Sequence, residues 1–332
     1  MTAVTARSVW SRGRASTKRM DVRPGIAWGL ALVLFVTYVL LQPDVLSRLQ
    51  LTDLCAATVF LVALGLGEGL VIITRGIDLS IGGVLSMGTA IAATRFVSTG
   101  SVVAWSIVII LAGAAVGVVN GALIGLLKLQ PFIVTLATWS IVSGVALLIL
   151  PIQGGSVPTG FANWINISSL GFPNAAWVML AMIVFWSWFK RTRLCRRIYA
   201  LGSDPEGAAI AGVSTWSTLV AVYSIAGVCA AVGAIFYAML TASGDPTVGN
   251  GEILPAVTAV VIGGTSLYGG SGGFVGTVGG AFALTLIADV VFAWNLSSYW
   301  QELADGVVLI VAVLLGGALR SLRLRRAAAR VT

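Results

Sequence analysis

Two carboxylates stand inside long apolar runs: Glu68 in LVALGLGEGLVIITRG and Asp289 in FALTLIADVVFAW. A charge at bilayer depth is costly, so such residues default to a role in a substrate or ion path. Asn120, the one amide in the apolar stretch 102–127, joins them as a candidate for that path. Glu302 and Asp305 open the last apolar run and suit an interfacial position near a helix N-terminus. Glu68 and Asp289 together could relay protons in a secondary transporter. Bond-making chemistry lacks its usual parts. The chain has no histidine, which removes the commonest general base and the commonest metal ligand. Cys55, Cys195 and Cys229 are too few and too far apart for a zinc pattern or a disulfide framework, so free thiols are expected. Neither a catalytic set nor a metal site is expected.

Three further stretches carry turn and cap chemistry. In TRGIDLSIGG, residues 74–83, Gly76 permits a tight reversal. Asp78 can cap the next helix through the N–H of Ser80 or Ile81, at the membrane surface or near a gate. In LGSDPEGAAIAGV, residues 201–213, Ser203 and Glu206 have capping-box spacing. Pro205 then suits the first helical position, with Asp204 before it, and Gly212 suits a C-terminal stop. The helix between them is about two turns long, with Ala208, Ala209 and Ile210 in its middle. So short a helix is marginal alone in water. It either lies on the bilayer or docks a partner. The third stretch, residues 254–273, is glycine-rich but lacks GxxxxGK[ST], so it reads as a helix–loop–helix reversal rather than a phosphate cradle.

The elements that position these residues belong to a membrane. In 332 residues, 58% are strongly hydrophobic, 40 are glycine and only 10% are charged. Mean hydropathy is +0.99. So few charges cannot cover a soluble surface, where roughly 25% is usual. Apolar runs fall at 25–42, 54–74, 79–98, 102–127, 131–151, 173–190, 216–241, 252–265, 272–292 and 302–319. A helix needs about 20 residues to cross the bilayer core. The eighth run, of roughly 14 residues, therefore reads as a half-helix or re-entrant piece.

With ten spans and a cytoplasmic N-terminus, the basic residues before the first span, after the second, fourth and sixth, and beyond the last all lie inside. Only Arg48 and Arg95 fall outside. The net charge of +8 is thereby explained by topology, with lipid rather than nucleic acid as its partner. This predicts a basic tail over 1–24, a transmembrane domain over 25–319 with a cytoplasmic loop near 191–215, and a second basic tail over 320–332. The external loop 152–172 has no charged residue and carries Gln153, Ser156, Thr159, Asn163 and Asn166, which suits a neutral polar ligand.

An internal repeat is visible. Gly113, Gly117 and Gly121 recur as Gly272, Gly276 and Gly280, and VGVVNGA at 116–122 matches VGTVGGA at 275–281 in five of seven positions. Glycine at four-residue spacing lets helices approach closely, so Gly117, Gly121, Gly276 and Gly280 are packing positions. Five spans separate the copies, which predicts an inverted-topology repeat, a transporter signature.

GIDLSIGG, GSDPEGAAIAGV and AVVIGGTSLYGGSGG, with LQPFIVTLAT at 129–138 and SSYWQELADGVVLIVAV near the end, resemble the permease subunits of ribose and monosaccharide-type ABC importers, in order over about residues 50–320. The resemblance implies an all-α, ten-helix permease of the vitamin-B12-importer-like fold in a bacterial cytoplasmic membrane, with both termini cytoplasmic. It implies a homodimer, two cytoplasmic ATP-binding subunits and a periplasmic or surface-anchored sugar-binding protein. ATP and magnesium would sit on the ATPase subunits and no cofactor on this chain. The segment 203–212 would be the coupling helix. The family usually has an uncharged residue, often methionine, at the position of Glu68 and glycine at that of Arg75. Glu68 is thus expected to mark a specificity change or to pair with a polar neighbour.

Overall fold

The computed structural model describes residues 23–297 and 299–328. Apolar runs without competing turn signals become helices, in the order α1 (Arg23–Leu41), α2 (Arg48–Ile73), α3 (Ser80–Arg95), α4 (Thr99–Leu127) and α5 (Pro131–Ile149). A loop follows that holds the single turn α6 (Thr159–Ala162), a 3-10 turn (Asn163–Asn166) and a two-residue hairpin, β1 (Ser168–Ser169) with β2 (Phe172–Pro173). Next come α7 (Asn174–Phe189), α8 (Arg193–Ser203), α9 (Pro205–Ile210), α10 (Thr215–Thr241), α11 (Gly249–Ile262), α12 (Phe274–Ala293) and α13 (Tyr299–Ala328). Among the described residues six helices are long and apolar enough to cross a membrane: α1, α2, α4, α5, α10 and α12. The chain is an all-α, multi-pass membrane protein.

Each of the ten apolar runs lies on a helix, with shifted ends. The second starts at Arg48 rather than 54, because Ser47 caps it by accepting the Gln50 N–H. The third is only 16 residues, stopped at Arg95. The eighth is 14 residues and contains Pro255. Two further departures concern the flanks. The segment near 191–215 holds, besides the short helix expected there, α8, whose 11 residues put Cys195, Ile198 and Leu201 inward and Arg193, Arg196 and Arg197 outward. The final helix continues to Ala328, through much of the basic stretch expected as a tail. Most of the N-terminal basic tail lies outside the described residues.

The core is built around α2, which is buried along nearly its whole length. It packs on α10 and α12, while α4 lies against α10 and α1 against α12. The neighbours of the two halves correspond. With α2 to α5 set against α10 to α13, the pair α4–α10 answers to α12–α2, α3–α5 to α11–α13, and α3–α10 to α11–α2. The two short helices, α3 and α11, hold equivalent places. α1 and α7 break the correspondence, α1 lying along α12 and α7 along α2.

The glycine ladders explain these close pairs. A Cβ on Gly117 would overlap the Tyr223 carbonyl oxygen, and one on Gly121 the Val220 Cα, both on α10. On α12, a Cβ on Gly276 would overlap the Gly263 carbonyl and one on Gly280 the Ala259 carbonyl, both at α11. Each ladder seats one helix on a neighbour's backbone.

Candidate functional site

The turn after α2 builds the first part of the site. α2 stops at Ile73, and the chain reverses and dips back along α2. The Asp78 N–H then donates to Glu68 Oε1 at 3.2 Å. Glycine is required at the bend, since a Cβ on Gly76 would stand 2.5 Å from Tyr223 Oη and 3.0 Å from Val71. Asp78 Oδ1 accepts from the Ser80 N–H at 2.9 Å and the Ser80 hydroxyl at 2.6 Å, which anchors the start of α3. Asn120 Nδ2, on α4, donates to Ser80 Oγ at 2.8 Å. Tyr223, on α10, closes the group from above Gly76.

These side chains are sealed from the surface. Glu68, Asn120 and Tyr223 are 0% exposed and Asp78 is 1% exposed. Four oxygens among them make no hydrogen bond: Glu68 Oε2, Asp78 Oδ2, Asn120 Oδ1 and Tyr223 Oη. Among the described residues no lysine or arginine bonds either carboxylate. Buried ions each cost several kcal/mol unless compensated, and here the compensation is a few N–H and O–H donors.

The sequence predicts Asp78 as a helix cap, at the membrane surface or near a gate. It does accept the Ser80 N–H, but it is buried, because the turn re-enters the helix bundle instead of ending at its face. The structure thus joins Gly76, Asp78 and Ser80 with Glu68 and Asn120. Asp289 stays apart. Thr58 Oγ1 lies 3.3 Å from Thr285 Oγ1, and a Cβ on Gly65 would meet Thr277, so α2 and α12 run antiparallel. Asp289 is therefore level with Leu54, about 20 Å along α2 from Glu68. Its electrostatic neighbour is Tyr38, which Asp53 also faces.

The second part of the site lies at the Ile73 end of the bundle. Arg75 has a left-handed backbone, φ 68°, a region that glycine favours. Its side chain ties the turn to the α8–α9 junction: Nε donates to the Gly202 carbonyl and Nη2 to the Ser203 carbonyl, both at 2.7 Å. The Gly270 N–H donates to the Ile73 carbonyl at 2.9 Å. Tyr199 Oη donates to the Gly272 carbonyl at 2.8 Å, and burial pushes this phenol up to about 12. Burial also raises the Cys195 thiol, against the opposing pull of Lys190 and Arg196, so it stays a thiol.

α9 is capped differently from its expected pattern. Ser203 is the last residue of α8, and its hydroxyl bonds the Tyr199 carbonyl at 2.7 Å, so the Ser203–Glu206 capping box does not form. Asp204 takes the cap, its Oδ1 accepting the Gly207 N–H at 3.1 Å, with Pro205 at the first position. Gly212, at φ 79°, closes the other end: its N–H bonds Ala209 and that of Val213 bonds Ala208, a Schellman motif. Ala208 faces inward. Ala209 is exposed and Ile210 is 89% exposed, an apolar tip presented on a rigid two-cap turn.

Sequence reasoning missed Tyr223, Arg75 and Tyr199. Tyr223 sits in a span of alanine, valine and glycine, where its hydroxyl was the only available sign. Arg75 was absorbed into the basic topology, although an arginine beside Gly76 in a tight turn signals a side chain held for contact.

A family model described as the branched-chain amino acid transport system / permease component matches residues 50–314. The chain is 34% identical over 292 residues to the ribose import permease protein RbsC of Escherichia coli K12, covering 85% of this chain and 90% of that one. It is 34% identical over 287 residues to RbsC of Bacillus subtilis 168, covering 85% and 89%. It is 30% identical over 315 residues to the galactose/methyl galactoside import permease protein MglC of Escherichia coli K12, covering 89% and 94%. No solved structure matches it. Spanning all but the flanks of the chain and both parts of the site, the match establishes that this protein belongs to the branched-chain amino acid transport system / permease component family.

Proposed function

We propose that the chain is the membrane-spanning subunit of an ATP-driven importer for a neutral monosaccharide, a pentose or a hexose. The observation that carries this reading is the likeness, along nine-tenths of their length, to permeases named for ribose and galactose import. The charge-free loop 152–172 supports a neutral ligand. The paired helix neighbours of the two halves and the matched glycine ladders support ten spans, an inverted repeat and a vitamin-B12-importer-like fold. The subunit works as a homodimer in the cytoplasmic membrane, with both termini inside. A sugar-binding protein delivers the ligand outside, and ATP and magnesium reside on a separate cytoplasmic subunit.

α9 is the coupling helix in this reading. Its exposed Ala209 and Ile210 seat on the ATPase subunit. Motion there reaches α2 through the Arg75 bonds to Gly202 and Ser203, and reaches α10 through Val213 and Trp216. Both receiving helices flank the buried polar group. A proton-coupled carrier using Glu68 and Asp289 is the weaker reading, because about 20 Å and several packed apolar turns separate the two.

Ala209→Asp tests the coupling role. It puts a carboxylate into the docking face and leaves every span intact. The variant inserts and folds normally, and the ATPase subunit no longer co-purifies with it. Normal co-purification and normal sugar uptake would exclude α9 as the coupling element.

A further inference from the structure

Glu68 is not explained by sugar import. It is wholly buried, and its Oε1 accepts the backbone N–H of a second acid, Asp78. The four free oxygens around it share one property. Glu68 Oε2, Asp78 Oδ2 and Asn120 Oδ1 only accept, and Tyr223 Oη can do so. Hydrogen bonds within the group use most of its donors: Asp78 N–H goes to Glu68, both Ser80 donors go to Asp78, and one Asn120 N–H goes to Ser80, which leaves the Tyr223 hydroxyl as a free donor as well as a free acceptor. The nearest basic side chain in sequence, Arg75, points the other way and spends its guanidinium on two carbonyls. What remains is two buried carboxyl groups and an amide oxygen with unpartnered atoms and no basic side chain bonded to them.

We propose that Glu68, Asp78, Asn120 and Tyr223 form a buried binding site for one hard monovalent cation of sodium type. All four donors are oxygens, two of them anionic, which suits alkali and alkaline-earth ions and not thiol- or imidazole-seeking metals. Calcium takes roughly six to eight oxygens, and magnesium keeps several waters in an octahedral shell. The start of α3 stabilises the charge left on Asp78 through the Ser80 N–H. The donors come from α2, the turn after it, α4 and α10, so a bound ion ties three helices together. The site lies off the external loop that suits sugar, and the ion is a structural ligand of one conformation rather than cargo.

The proposal stands apart from the import reading, because it is tested on the purified permease without ATPase, binding protein or sugar. Thermal unfolding in detergent is followed in sodium chloride and in N-methylglucamine chloride at equal ionic strength, and equilibrium binding of radioactive sodium is measured on the wild-type protein. The expected results are a saturable rise of the melting temperature with sodium and a limit of one sodium per chain. Glu68→Gln abolishes the sodium-dependent rise. Tyr223→Phe, which keeps the ring and its packing, weakens sodium binding several-fold. Direct binding to the wild-type protein decides the matter even if Glu68→Gln fails to fold. An absence of saturable sodium binding, a melting temperature indifferent to sodium but rising as pH falls, or an equal sodium effect in Glu68→Gln would each overturn the site, the second by assigning the missing charge to a proton.

Discussion

Arg75 and Glu68 are seven residues apart, on the two sides of one turn, and the chain treats their charges in opposite ways. Arg75 accepts a left-handed backbone so that its guanidinium can bond two carbonyls at the α8–α9 junction. Around it the tie is reinforced by the Gly270–Ile73 and Tyr199–Gly272 bonds, and the region ends in an exposed apolar tip at Ile210. Glu68 lies within the bundle with one acceptor oxygen unmet, beside three more. The first region is tied together by hydrogen bonds and leaves an apolar tip exposed. The second keeps buried polar atoms without hydrogen-bond partners. One turn of chain connects them, so the α8–α9 junction is tied directly to the turn that carries the buried polar group.

The largest way to break this contrast is to part α4 from α10. Gly117 sits on the Tyr223 carbonyl one turn from Asn120, so Gly117→Leu separates two donors of the buried group. Overpacking typically costs about 1–3 kcal/mol, and backbone-on-backbone contact leaves little room for relief. The expected outcome is loss of monodisperse protein on size exclusion. A well-folded Gly117→Leu protein of wild-type stability would refute the seam.

A smaller effect separates the side chain of Arg75 from its backbone. Arg75→Ala loses two charge-assisted bonds, about 1–3 kcal/mol in a partly exposed setting. Arg75→Gly loses the same bonds but relieves the left-handed backbone, worth roughly 1–2 kcal/mol. The glycine variant therefore melts higher than the alanine variant. Equal melting temperatures would show that φ at this position carries no strain.

Tyr199 gives a finer test at high pH. Its phenol, pushed up to about 12 in the folded chain, lies above the ordinary value near 10. A raised phenol contributes its full stability below the unfolded value and loses it as pH rises toward the folded one. Between about pH 10 and pH 12 the wild-type protein should lose stability faster than Tyr199→Phe. Parallel melting curves across that window would mean the Tyr199 phenol is not buried as described.

The smallest effect is chemical. Cys195 is a buried thiol raised by desolvation, whereas position 209 is open. A maleimide should modify Ala209→Cys far faster than native Cys195. Comparable rates would show that α8 does not pack as described.

Much of this was legible in the residues, and what was not has identifiable physical causes. Each member of the buried group except Tyr223 announced itself: Glu68 by a charge in an apolar run, Asp78 by cap spacing, Asn120 by an amide among glycines. Their meeting was hidden, because it depends on the turn at Gly76 dipping back along α2, and local spacing carries no information on depth. The cap of α9 shifted by one residue for a related reason. Ser203 and Asp204 are both good caps, and the choice was made by α8 running on to Ser203. α8 itself was obscured by its arginines, which read as topology before they read as one face of a helix.

Transport by purified protein in sealed vesicles tests the central claim most directly. The permease is reconstituted alone, with its ATPase subunit, and with ATPase and sugar-binding protein together, and labelled monosaccharide uptake is followed with ATP or with an imposed proton gradient. The account predicts uptake only in the complete, ATP-supplied vesicles and none from a proton gradient. Gradient-driven uptake by the chain alone, without ATPase or binding protein, would contradict it.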